Sequence, residues 1–263
     1  MKEVVKHPYS FELVPARLLT VNRGYQRDAK SAEINGIVAK FDYHLVNPVK
    51  VVKRDGYYYI WDGQQTATAL HTKFGAEYLV PCLVYYDIDT SKEEAMLLVG
   101  GNTNGGRGKM LTPLEIWKAL IWADDPTALH IKKILDEAGI CVTTGGARRA
   151  KYTTSSIGAI RYAYKVLTEK QFVLMLNIVK CAWDGDTDSL SATIIKAVTK
   201  FVKVYDGKFD EKNLVRRLSK HPPVAIIRNG RASLSKGDTK WAREILAIYN
   251  NGTTTNRLPD LFG

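Results

Sequence analysis

The residues best suited to chemistry cluster where an apolar run, Tyr57-Tyr58-Tyr59-Ile60-Trp61, meets Asp62-Gly63-Gln64-Gln65-Thr66 and a helical pattern follows to Phe74. A glycine at a strand-to-helix turn lets an anion approach the backbone. The first N–H groups of the helix have no internal acceptor and point toward it, along the positive end of the helix dipole. Gly63, Gln64, Gln65 and Thr66 are therefore candidate phosphate ligands, and Asp62 and Glu33 are the candidate catalytic carboxylates for acid–base work. Asn22, Arg23 and Arg27, ahead of the first predicted helix, and Asn102, Arg107 and Lys109, in a glycine-dense stretch, supply further polar and positive groups. Plainer roles stay open for each. Asp62 fits an Asx turn, Glu33 a first-turn helix acid, the two arginines surface ion pairs, and the 102–109 run a solvated loop.

These residues need elements to place them. Residues 10–111 read as α+β. Leu13 to Leu19 suggests one short first strand, and Lys30-Ser31-Ala32-Glu33 opens a helix with Ser31 as its cap. Pro48–Lys53 and Tyr57–Trp61 flank Asp55-Gly56, a strong hairpin signal. A helix ending at Gly75 and a strand over Val80–Tyr86 follow, then a helix capped by Ser91 with Glu94 closing a capping box. Glycines from Gly100 onward are expected to stop that helix. Thr112-Pro113-Leu114-Glu115 starts another. From there the chain reads as mainly α-helical, with helices near 113–123, 127–138, 155–166, 169–183, 187–205, 211–219 and 239–249, a break at His221-Pro222-Pro223, and a terminal Leu258–Phe262 segment suited to docking.

In this order the segments resemble the N-terminal domain of the ParB family, which shares its fold with sulfiredoxin. Asn22, Arg23 and Arg27 look like its N-x-R region, Asn47-Pro48-Val49 like its strand entry, Asp62 to Ala69 like its phosphate box, and Asn102 to Glu115 like its third box. The resemblance implies a ParB/sulfiredoxin-like domain over 10–111 that binds a nucleotide, CTP or ATP, with Mg2+, in a cytoplasmic protein of bacterial or phage origin that acts as a homodimer. Gln65 and Thr66 stand where the family carries two arginines, Gly101 where it carries a glutamate, and Gln64 where sulfiredoxin has its cysteine. Binding is thus better supported than inherited chemistry. A metal-dependent nuclease or nucleotide hydrolase using Asp62 or Glu33, and a phage or mobile-element interaction module with a vestigial pocket, are the alternatives.

Charge points to a second partner. The chain carries a formal +11, with 14 Lys+Arg against 12 Asp+Glu in residues 1–111 and 24 against 15 in 112–263. Clustered cations gain free energy by releasing counterions from phosphates, so the helical region 112–263 is expected to bind DNA. Arg148, Arg149, Lys151, Arg161 and Lys165 lie in an acid-free stretch rich in tyrosine, serine and threonine, and Arg216 and Arg217 lie in a second basic stretch. Some fifteen residues separate the helix near 130–135 from the one near 155, too many for a helix-turn-helix there. No apolar run approaches a membrane span, and the N-terminus has no signal-peptide pattern. Cys82, Cys141 and Cys181 are too few and too scattered for a disulfide framework or a metal site, and are expected to be buried free thiols in a reducing setting. The tryptophans at 117, 122, 183 and 241 are expected in the core.

Overall fold

The computed structural model describes residues 8–103, 111–143, 150–233, 237–252 and 257–262. The chain forms two compact units that divide after Ala128, beyond the boundary at 111 suggested by the sequence. The first is built on a five-stranded mixed sheet in the order β1-β5-β3-β4-β2. β1 (Tyr9–Pro15) runs antiparallel to β5 (Leu79–Tyr85), and β5 parallel to β3 (Val49–Arg54). β3 is antiparallel to β4 (Tyr57–Asp62), whose far side pairs in parallel with the short β2 (Leu19–Thr20). The expected single first strand is therefore two strands at opposite edges of the sheet. The predicted hairpin is present. Asp55 and Gly56 both take positive φ, 52° and 78°, as a two-residue turn matched to strand twist requires.

The alternation of apolar residues along β3, β4 and β5 builds one core face from Val49, Val51, Ile60, Val80, Cys82 and Val84. Helix α2 (Gln64–Phe74) buries Ala67 and Leu70 against it, and α1 (Ser31–Ala39) lies along α2. Lys30, not Ser31, occupies the N-cap position of α1, and its side chain makes no capping hydrogen bond. The other face takes α3 (Ser91–Thr103), which packs on β4 and in turn against α4 (Pro113–Trp122). Thr112 and Glu115 form the expected capping box at the start of α4. α3 continues through Gly100 and Gly101, contrary to expectation. The bare Cα of Gly101 lets the helix approach Trp61, whose ring would lie 3.2 Å from an added Cβ.

The cap of α3 also differs. Thr90 and Glu93 cap it reciprocally: Thr90 N–H donates to Glu93 Oε2 at 2.9 Å and Glu93 N–H to Thr90 Oγ1 at 3.2 Å. Glu94 is instead fully buried, accepting from the Tyr25 hydroxyl and, at 2.9 Å, from Arg54 Nη2. Arg54 lies over the Tyr59 ring, 4.2 Å from its centroid. Burial pushes the Glu94 carboxyl up, against the two hydrogen bonds that pull it down, and burial together with Glu94 pushes the Tyr25 hydroxyl up.

The second unit is helical. α5 (Pro126–Glu137) enters it, and β6 (Cys141–Val142) pairs in parallel with β7 (Thr153–Thr154), a small sheet without a sequence signal. α6 (Ile157–Val166), α7 (Glu169–Trp183) and α11 (Thr239–Asn250) surround the buried α8 (Ala192–Tyr205). α9 (Glu211–Leu218) packs on α7 and α11. A helix missed from the sequence, α10 (Pro223–Ala232), begins on the second proline of the supposed break. The final segment docks as expected. Tyr205 Oη donates to Pro259 O at 2.6 Å and accepts from Leu261 N–H at 3.1 Å, while Phe262 meets the Tyr205 ring edge-on. Trp117 and Trp183 are buried, but Trp122 is exposed, laid over Gly24. Of the thiols only Cys82 is buried, its pKa pushed up to about 12 by burial; Cys141 and Cys181 are exposed.

Removing one partner of a buried ion pair strands the other charge. Glu94→Ala is therefore expected to cost about 3–5 kcal/mol of unfolding free energy in urea denaturation, and Tyr25→Phe, which removes one of two hydrogen bonds to the same buried carboxylate, about 1.5–3 kcal/mol.

Candidate functional site in the sheet unit

Gly63 stands between β4 and α2 with φ 92° and ψ 17°, a left-handed conformation that glycine adopts without cost. An added Cβ would also sit 3.3 Å from Val49 Cα, so glycine is needed for the approach as well as for the turn. α2 has no side-chain cap and no acid in its first turn. Among the described residues its leading N–H groups have no side-chain acceptor and are open to an external one, and its N-terminus keeps the positive potential of the helix dipole.

A cleft of about 550 Å3 opens beside the first turns of α2. Gln64, Thr68 and His71 face it from α2 at the i, i+4, i+7 spacing of one helical face, and Ala67 shares that wall. Leu19, Val21, Ile34 and Ile60 make it apolar, while Thr20, Arg23 and Asp28 close the polar end. Thr20, Asp28, Thr68 and His71 were not singled out from the sequence. The helical spacing from Gln64 was the signal available for the last two.

The profile of DUF6551, a family of unknown function, matches residues 21–262, nearly the whole chain. The chain belongs to the DUF6551 family. No curated protein matches it.

The DUF6551 chain uses several predicted ligands as braces. Gln65 Nε2 donates to Glu33 Oε2, joining α2 to the first turn of α1. Arg27 Nη1 bonds Glu115 Oε1 at 2.7 Å and so ties the 21–30 loop to the cap of α4. Asn22 Oδ1 accepts Gly24 N–H at 2.9 Å and shapes that loop. Arg23 pairs with Asp28 at the exposed mouth of the cleft. Asn102 falls in the last turn of α3, and Arg107 and Lys109 lie outside the described residues.

The catalytic candidates are occupied in the same way. Asp62 is half exposed and ion-paired to Lys50 Nζ at 3.1 Å, while the same ammonium lies 4.9 Å from the Trp61 ring centroid. Glu33 holds Gln65. Among the described residues, no group of three or more His, Cys, Asp or Glu is placed to hold a metal ion. Among the described residues, Asp62 and Glu33 are each engaged by a neighbour and do not converge on a shared metal position. Gln64 and the uncapped helix end can bind and orient an anion.

In the helical unit the predicted nucleic-acid residues separate. Lys151 bonds Asp184 at 2.8 Å, in a turn where Tyr152 has φ 56° and lies against Gly185. Arg161 is half buried and Lys165 exposed, one helical turn apart on α6. Arg216 and Arg217 both donate to Asn213 Oδ1, at 2.8 and 3.1 Å. Arg148 and Arg149 lie outside the described residues. A second recess, against the docked terminal segment, contains none of the predicted residues.

Two consequences can be measured. Gly63→Ala must hold a left-handed conformation and press on Val49, and is expected to cost at least about 1–2 kcal/mol in urea unfolding. Burial raises the Glu115 carboxyl, but hydrogen bonds from the Thr112 backbone and side chain and the Arg27 charge outweigh it and leave the pKa below 4.5. A depressed carboxylate stabilises the fold fully above its unfolded value and loses that contribution as pH falls through the folded one. Arg27→Ala should therefore raise the Glu115 pKa, followed by carboxyl NMR titration, and reduce the share of stability lost on acidification below about pH 4.5.

Proposed function

We propose that the sheet unit binds a phosphate-bearing nucleotide at the head of α2, and that the helical unit binds DNA. The observation that carries the first part is the Gly63 turn: a left-handed glycine, an uncapped helix N-terminus and an adjoining cleft occur together. A half-apolar cleft lined by Gln64, Thr68 and His71 beside an anion-binding helix end suits a nucleoside joined to phosphate. The ordered resemblance to the ParB N-terminal domain supports the same reading. CTP and ATP are the nucleotides to try first, in a ParB-like DNA-binding protein.

Charge supports the second part. Counted by the observed units, residues 1–128 hold 15 Lys+Arg and 15 Asp+Glu, a net of zero, while residues 129–263 hold 23 and 12, a net of +11. The formal charge of the chain therefore resides in the helical unit, where it favours a polyanion. No described helix is long and apolar enough to cross a membrane.

The test is a nucleotide panel by thermal shift, with and without Mg2+. A ligand at about 100 times its Kd adds roughly 2.7 kcal/mol by mass action and should raise Tm by several degrees. Gln64→Glu places a carboxylate in the first turn of α2, where it suits the helix dipole and repels phosphate. It should keep or raise the ligand-free Tm and abolish the shift. A shift retained by this variant would place the ligand elsewhere, and no shift with any nucleotide would end the nucleotide reading.

A further inference from the structure

We infer that α9, its connection to α10, and the outer face of α10 form the surface that contacts duplex DNA, with α10 entering the major groove. This rests on the DNA-binding reading of the helical unit and gives it a location.

Four residues, Ser219 to Pro222, join α9 to α10. This is the short connection that characterises helix pairs able to present one member to a groove. The connection is fixed from both ends. Ser219 N–H reaches Val215 O and His221 N–H reaches Leu218 O, each at 2.9 Å, and His221 O accepts from Trp183 Nε1 at 2.8 Å. Pro223 at the first helical position sets the backbone of α10 and removes a donor that would otherwise lack a partner.

α10 is held rigidly by its inner face. Pro223, Ile226 and Gly230 are buried on it. Gly230 lies so close to Trp241 of α11 that an added Cβ would be 2.2 Å from the indole, whose Nε1 donates to Ile227 O at 3.1 Å. The outer side exposes Arg228, Asn229 and Arg231. Arginine reads guanine and asparagine reads adenine by paired hydrogen bonds at the major-groove edge. A helix 10–12 Å across matches that groove in B-form DNA, whereas the major groove of duplex RNA is too deep and narrow to read.

The sequence around this helix is strongly basic. Residues 211–233 contain six Lys and Arg and one acid, Glu211. Among the described residues, Lys212, Lys220, Arg228 and Arg231 have no carboxylate partner. Elsewhere in the unit, Lys132, Lys133, Lys151 and Lys196 are ion-paired, whereas among the described residues Arg161 and Lys165 on α6 are not, which makes α6 the competing surface. Desolvating an unpaired surface cation against phosphate breaks no existing pair, so the α9–α10 surface should bind a polyanion ahead of the α5 surface.

The test uses the full chain and a fluorescent mixed-sequence DNA duplex about three helical turns long, followed by anisotropy over a range of salt. Arg228→Ala with Arg231→Ala is expected to weaken binding by at least about tenfold and to flatten the slope of log K against log salt by about 2. Lys132→Ala with Lys133→Ala should stay within about twofold, because those lysines already neutralise acids. Methyl green, a major-groove ligand, should compete, and a minor-groove ligand should not. Both variant pairs are exposed, and an unchanged Tm and circular dichroism spectrum will show that they fold. Equal losses in the two pairs, loss only on Arg161→Ala with Lys165→Ala, competition by the minor-groove ligand alone, or equal affinity for duplex RNA would each overturn the placement while DNA binding stands. A wild-type chain that binds no duplex at low salt would overturn the DNA reading itself.

Discussion

A single buried carboxylate organises the sheet unit. Glu94 has no contact with solvent and meets Arg54 from β3 and Tyr25 from the loop ahead of α1. An uncompensated charge in such a place is too costly to persist, so these partners must arrive together for the fold to close. Their meeting fixes α3 over the sheet and sets the course of the 21–30 loop. That loop in turn supplies Arg23 and Asp28 to the cleft and Arg27 to the α4 cap. Among the described residues the network still leaves Arg54 Nη1 without a hydrogen-bond partner, and Trp61 Nε1 on the neighbouring strand is also unpartnered. The cluster is better understood as a device for specifying one arrangement of elements than as a source of net stability.

Local backbone demands were the part of this fold most readable in the sequence. Asp55-Gly56 is one of the few pairs that tolerate positive φ at both positions, so the hairpin could be read directly. Thr112 to Glu115 identified its own helix start, and Gly63 its own turn. Non-local pairings were not readable. Nothing in Leu13 to Leu19 shows that the chain crosses from one edge of the sheet to the other, because strand partners are chosen by the rest of the fold. Glu94 shows a subtler limit. Ser91 and Glu94 have capping-box spacing, but so do Thr90 and Glu93, and only the packing of α3 decides which acid stays on the surface.

The same reasoning explains why functional side chains were harder to read than elements. A lysine or arginine in a sequence is a charge of unknown availability. Lys151, read as a nucleic-acid contact, and Arg27, read as a ligand or an ion-pair partner, are engaged by Asp184 and Glu115, acids distant in sequence. Asp62 and Glu33, read as catalytic candidates, neutralise Lys50 and hold Gln65. Conversely, α10 was hidden by the two prolines read as a break. A proline at the first position of a helix costs nothing, and the buried spacing of Pro223, Ile226 and Gly230 was the available clue.

The two units also differ in how each could hold an anion. With 15 cations against 15 acids, the sheet unit has no net charge to draw an anion in from a distance. Any phosphate it binds must be held by short-range means: backbone N–H groups at the end of α2, amide and hydroxyl side chains, and the apolar wall of the cleft. Such a site selects by shape and is only weakly screened. The proposed DNA contact of the helical unit, at +11, would draw in a polyanion at a distance and weaken steeply with salt. Selectivity in it must come from the few rigidly held side chains that can reach past the phosphates. Gly230 against Trp241 matters for the proposed contact: by packing the back of α10 without slack, it fixes the backbone from which Arg228 and Asn229 project, and a fixed backbone is a condition for reading a base rather than merely neutralising a phosphate.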